Sequence, residues 1–404
     1  MPLDTGDTSF MLVATALVMI MTPGLAFFYG GLVSRKNVLA IMMQSYVSMG
    51  VSTILWVAVG YSLCFSGDVG GMGIIGNLDM AFLRGIEPTD LFGGVDGTIP
   101  LLLFVAYQMM FAIITPALIT GAFANRITFK AYLIFLVAWQ ILVYYPFVHM
   151  IWGGGMLADW GVLDFAGGIV VHALAGMAAL ASVIYVGKRR VEDAGAHNVP
   201  FVAIGAALLW FGWFGFNAGS ELAVDEVTAV AFINTQIAAA FAAITWLLLA
   251  WLYDGKPSFV EMLIGMIAGL ATITPAAGFV SPQSAMLIGV AAGAVCYFAV
   301  VFRKKKGLDD ALDVWGVHGV GGALGIIMLG VLASKSIGGQ NGLYHGNQDF
   351  FFVQLAGLAL ACVWAFAFTY GMLMMIDMIT PVRVTDEAEA ALDVTLHGES
   401  AYID

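Results

Sequence analysis

Long apolar runs separated by short polar ones set the pattern of this chain. A helix that crosses a bilayer needs about 20 mostly apolar residues. Eleven such runs can be read, at 9–33, 39–65, 98–124, 131–151, 167–187, 200–219, 228–253, 258–276, 284–302, 315–334 and 349–380. The last is long enough to tilt or to extend beyond the bilayer. No segment shows the alternating ten-residue pattern of a membrane β-barrel. The pattern predicts an all-α membrane protein.

Basic residues give the expected direction of threading. Arg35 and Lys36, Arg126 and Lys130, Lys188 with Arg189 and Arg190, Lys256, and Arg303 with Lys304 to Lys306 all fall in one set of alternate loops, joined by Arg383 in the tail. The other set holds Arg84 and Lys335. Positive residues stay in the cytoplasm, so the N-terminus is expected outside and the C-terminus inside, as an odd number of spans requires. Eleven also divides as five, five and one. A duplicated unit of five spans enters the membrane inverted, a form common among transporters. Asp164 ahead of His172 and Asp313 ahead of His318 are the sequence sign of such a repeat.

Composition narrows the function classes. Of 404 residues 61% are hydrophobic and 10% charged, against about 25% charged in soluble proteins. The net charge of −12 argues against nucleic acid, whose binders need basic surface. Cys64, Cys296 and Cys362 are scattered through apolar runs, which suits buried hydrophobes rather than a disulfide framework or a metal knuckle. No Lys or Arg precedes the first apolar run, so the start does not read as a secretory signal. No nucleophile elbow, phosphate loop or metal-ligand cluster is present in the sequence, and no enzyme activity or cofactor is expected.

Polar groups at membrane depth are costly and mark function. His149, His197, His345 and His397 lie in or near loops, run ends or the tail; His172 and His318 sit inside apolar runs. One such histidine alone reads equally well as a satisfied core residue; two in matching runs point to function. Gly316, Gly319, Gly321 and Gly322 around His318 allow close helix approach. Asp164 can cap its run through the amides of Ala166 and Gly167, a reading preferred to proton chemistry, and Asp313 reads the same way. Tyr107, Phe111, Trp152, Trp213 and Phe216 fall near the outer ends of runs three, four and six. Composition favours an interfacial belt over a cation–π cage.

The motifs D-F-A-G-G-I-V-V-H at 164–172, G-W-F-G-F-N-A-G-S at 212–220 and G-V-H-G-V-G-G at 316–322 go further. With M-T-P-G-L-A-F-F-Y-G-G-L-V at 21–33 and L-D-V-T-L-H-G-E-S-A-Y at 392–402, the chain resembles the ammonium transporter (Amt/Mep/Rh) family, on its bacterial Amt branch. The resemblance implies a homotrimer in the inner (plasma) membrane of a bacterium, with a hydrophobic pore in each subunit. It matches Trp152, Phe111, Ser220 and Tyr107 to an outer ammonium recruitment site, and Phe111 with Phe216 to a gate. His172 and His318 match paired imidazoles in the pore, and Asp164 an aspartate that organises recruitment; Asp313 and Trp213 join as structural or deprotonation support. Tyr107 stands where phenylalanine is common, which suggests altered hydration. Ile169 stands where Thr or Ser is common, removing a partner for Asp164.

The implied function is recruitment of ammonium or methylammonium, deprotonation, and conduction of ammonia with or without a separately relayed proton. The alternatives are an ammonium sensor with little flux and a channel for neutral ammonia or for the intact cation. Residues 1–382 form the expected transmembrane domain. Residues 383–404 form the expected cytoplasmic tail, disordered or surface-docked by composition and regulatory by resemblance, with a nitrogen-regulatory PII protein as partner.

Overall fold

The structure, a computed structural model, describes residues 3–191 and 195–402. It is all-helical, with three isolated bridges and no strand among the described residues. Among the described residues ten helices are long and apolar enough to cross a membrane. They are α1 (Thr5–Leu32), α2 (Val38–Phe65), α3 (Leu101–Ile119), α4 (Phe129–Asp159), α5 (Gly168–Val186), α6 (Val199–Glu221), α7 (Glu226–Asp254), α9 (Pro282–Lys306), α10 (Trp315–Leu332) and α11 (Gln348–Asp377). Between α7 and α9 lies α8 (Phe259–Ile273), with 15 residues. The run expected at 258–276 stops early because Pro275 follows Thr274, and proline cannot continue the amide ladder.

Polar side chains begin several of these helices. Asp4 accepts from the amides of Gly6 and Asp7, and Asp225 forms a capping box with Thr228 on α7. The four basic residues 303–306 close α9, where positive charge suits the helix dipole.

Two crossings organise the bundle. On the α1–α6 crossing, a Cβ at Gly24 would lie 2.9 Å from Leu208 Cβ, and one at Gly205 would overlap the backbone of Phe28. On the α5–α10 crossing, a Cβ at Gly176 would overlap the Cα of Gly319. One at Gly322 would lie 2.7 Å from the Gly168 oxygen and 2.8 Å from His172 Cβ. Gly176 is four residues beyond His172 and Gly322 four beyond His318. The contacts are therefore reciprocal, as a two-fold axis between the halves requires. Both histidines also lie in π-helical turns, Gly168–Ala173 and Trp315–Gly319, a local widening frequent at functional sites.

The tail is docked rather than loose. Its short helices, α12 (Asp386–Glu389) and α13 (Leu392–His397), lie against the start of α2. Asp393 accepts from the Ala40 amide at 2.9 Å, and Asn37 bonds both the Glu389 carbonyl and the Leu392 amide. Glu389 is buried, receives the amides of Arg190 and Val191, and pairs with Arg383 at 2.9 Å. Cys64 and Cys296 are buried and Cys362 half-buried, all with free thiols.

Candidate conduction site

The site grows from the turn before α5. Gly167 has φ 119°, a conformation glycine adopts without strain. This lets the chain fold over Asp164, whose carboxylate accepts four amides at 2.6–3.0 Å, those of Gly167, Gly168, Ile169 and Val170. The expected cap through Ala166 and Gly167 is thus shifted along the chain and doubled. Each carboxylate oxygen receives two amides, and Ile169 contributes its backbone whatever its side chain. The carbonyl of Asp164 accepts the Trp152 indole N–H at 2.8 Å.

At the start of α10 the expectation for Asp313 fails. Asp313 has φ 58° and turns to a buried ion pair with Arg303. The capping role falls to Asp310, which takes the Trp315 amide at 2.7 Å. Asp310 stands eight residues before His318, as Asp164 stands eight before His172. The repeat is aspartate, histidine, glycine at equal spacing, and Asp310 rather than Asp313 is its member.

From Trp152, tied to the first of these turns, an unbroken file of rings leads to the two histidines. Trp152 meets Phe111 edge-on at 5.9 Å between centroids. Phe111 lies 4.4 Å from Phe216, Phe216 stacks 5.9 Å from His172, and His172 stacks 5.2 Å from His318. Phe111 and Phe216 are each 1% exposed, so the file is closed at that pair. Tyr107 does not turn its hydroxyl to open space. It is buried, donates to the backbone of α6 (Gly215 oxygen at 2.9 Å) and lies 3.2 Å from Ser220 Oγ. The extra hydroxyl therefore braces Ser220 and the Phe216 turn.

Hydrogen bonding fixes the imidazole tautomers. The Thr274 hydroxyl has one hydrogen and gives it to the Leu270 carbonyl at 2.8 Å. It therefore accepts from the Trp213 indole at 3.0 Å and from His172 Nε2 at 3.3 Å. With its hydrogen on Nε2, neutral His172 offers an Nδ1 lone pair, which His318 Nδ1 meets as donor at 3.2 Å. Trp213, expected among the outer rings, is buried and stacks on His172 at 5.5 Å. Thr274 was not anticipated from the sequence. Its hydroxyl does what many helical threonines do and bonds four residues back; the proline after it is the one local signal.

Around His172 and His318, Val171, Trp213, Phe216, Leu25 and Ile267 enclose a narrow cavity of 20 Å³, room for one water-sized molecule. On the far side of the phenylalanine pair lie two wider chambers. One of 420 Å³ includes Trp152, Asp164, Ser220 and Glu221, and one of 270 Å³ includes Gln108, Phe111, Trp152 and Ser220. Among the described residues no cluster of His, Cys, Asp or Glu could hold a metal.

The ammonium transporter family model matches residues 9–402. The chain is 46% identical to an ammonium transporter of Bacillus subtilis, with all of both chains covered. It is 43% identical to ammonium transporter Amt1 of Archaeoglobus fulgidus over 99% of this chain and 100% of that one. In structure it resembles Mep2 of Saccharomyces cerevisiae, with a TM-score of 0.91, 32% identity, and coverage of 100% of this chain and 94% of that one. A structure described as a sensor Amt protein gives a TM-score of 0.88 at 29% identity, covering 97% and 98%. By this whole-length agreement the chain, an integral membrane protein and not an enzyme, belongs to the ammonium transporter family.

Proposed function

We propose that this protein carries ammonium across the membrane by recruiting the cation at Trp152 and Ser220, removing a proton, and passing ammonia by Phe111, Phe216, His172 and His318. The observation that carries the reading is the closed file of rings leading to a cavity that admits one small molecule. Desolvating an intact unit charge in an apolar passage costs several kcal/mol or far more. Deprotonating an amine whose pKa lies about two to three units above 7 costs roughly 3–4 kcal/mol at neutral pH. The split route is cheaper, and potassium, close to ammonium in size and charge, has no proton to give. Ring faces and a hydroxyl hold the cation while water leaves. The phenylalanine pair excludes water and ions, and opens when its rings turn aside. The imidazoles offer a lone pair and N–H groups without fixed charge, and they provide a relay for the released proton.

In this reading eleven spans place the N-terminus and the Trp152 chambers outside, and the basic loops and tail inside, across a bacterial inner membrane. Three copies assemble, each with its own pore. Residues 1–382 conduct, and the tail at 383–404 receives a PII protein. A second reading, an ammonium sensor, is favoured by the likeness to the sensor Amt structure.

Proteoliposomes given an ammonium jump test these readings. A current for ammonium and methylammonium, absent for potassium and weakened about tenfold by Trp152→Leu, is the expected result; one tenfold step corresponds to about 1.4 kcal/mol of binding. Internal alkalinisation without current would replace it with neutral ammonia passage. Silence in both traces would leave the sensor.

A further inference from the structure

The end of α4 that carries Trp152 is held by a histidine that the conduction file does not use. His149 is 2% exposed, and its Nδ1 lies 2.9 Å from the Cys64 carbonyl on α2. A carbonyl only accepts, so Nδ1 carries hydrogen. Nε2 is buried, has no hydrogen-bond partner, and lies 3.6 Å from Oδ1 of Asp68. A neutral ring there would set a lone pair against a carboxylate oxygen. A protonated ring would instead face that carboxylate as an ion pair at 3.6 Å.

Asp68 is the only carboxylate within 4 Å of that ring among the described residues. The other titratable groups packed here point elsewhere: the Cys64 thiol to the Tyr145 carbonyl, the Tyr145 hydroxyl to Gln140, and the Tyr61 ring to Trp56 and Phe65. Partial burial pushes the Asp68 carboxyl up, but the amides of Gly73, Gly71 and Met72 and the His149 ring outweigh it and hold it below the usual value.

The pair joins two turns that already share backbone. The Gly73 carbonyl accepts the Met156 amide at 2.8 Å, and the His149 carbonyl accepts the amides of Gly153 and Gly155 at 3.1 and 3.0 Å. A Cβ at Gly155 would overlap the Gly73 oxygen, and one at Gly153 the Cys64 oxygen. Trp152 sits between these anchors, aimed at Phe111.

We propose that His149 is a positioning residue for recruitment: an external proton on Nε2, paired with Asp68, latches the turn that aims Trp152, so the site tightens as the outside becomes more acidic. The inference rests on the recruitment role proposed above for Trp152. Methylammonium uptake by cells lacking other ammonium carriers tests it, at outside pH 5.5 and 8.0, since an alkylammonium stays protonated throughout. Wild type should show a KM roughly 5-fold higher at pH 8.0, the upper worth of a part-exposed ion pair, with maximal rate within about two-fold. His149→Gln and Asp68→Asn should show the high KM at both pH values.

The same pH ratio in wild type and both variants would overturn the latch. Asp68 lies in an exposed turn, so Asp68→Asn decides alone if His149→Gln fails to reach the membrane. Trp152→Leu separates the two ideas. A raised KM there with pH-identical wild type and variants removes the latch and keeps recruitment; an unchanged KM removes both.

Discussion

The single hydroxyl of Thr274 satisfies two buried N–H groups, on Trp213 and His172, and through them sets which imidazole nitrogen faces which. Thr274→Val keeps the shape and leaves both donors bare, at about 1–3 kcal/mol each. Transport should fall at least roughly tenfold with a lowered melting temperature, while Thr274→Ser keeps most activity; equal rates for the two variants would contradict the assigned tautomers. At this scale the sequence showed part of the site. His172 and His318 stood out because an ionisable ring is costly in an apolar run. Thr274 did not, because a hydroxyl bonding back along its helix is ordinary. Asp310 is not distinguished from Asp313 by residue type, and the φ of 58° at Asp313 with Arg303 behind it has no signature in the residue letters.

Helices were legible to within several residues, since each must carry an apolar run; α3 stops at Ile119 and α4 runs on to Asp159, against the expected 124 and 151, and α8 falls short where Pro275 stops it. What periodicity left open was which faces meet. That is decided at Gly176 and Gly322, where α5 and α10 touch backbone to backbone. Gly176→Ala forces the two helices apart, and the bond of 3.2 Å between the histidines lengthens with them. Overpacking of this kind costs about 1–3 kcal/mol. We expect lost transport and lowered thermal stability for Gly176→Ala and Gly322→Ala. Gly371→Ala on α11, with nothing within 4 Å of the added carbon, is the control. Normal uptake by both crossing variants would remove the claim that this contact sets the dyad.

Across the whole molecule, the end with the basic loops is tied by charges of opposed pH behaviour. Burial and the neighbouring Asp313 push Asp310 up to about 6. Burial also raises Asp309, but Arg189 and Arg126 outweigh it and bring Asp309 down to about 2. The raised Asp310 contributes stability that is complete below the unfolded value near 3.8 and is lost as pH climbs through about 6. The depressed Asp309 contributes stability present above about 3.8 and lost as pH falls towards 2. Asp310→Asn, which keeps an oxygen for the Trp315 amide, should therefore melt higher than wild type at pH 8 and level with it near pH 4. Intrinsic fluorescence melts of the purified protein at both pH values check this, and a gap that does not change with pH would contradict it.

The bond from Asp393 to the Ala40 amide spans 353 positions of sequence. A ribosome delivers α2 long before it delivers the carboxylate that caps it, so until then the first turn of α2 must borrow water at the membrane surface. This end of the fold therefore closes only when chain made much later returns to seal a helix inserted before it.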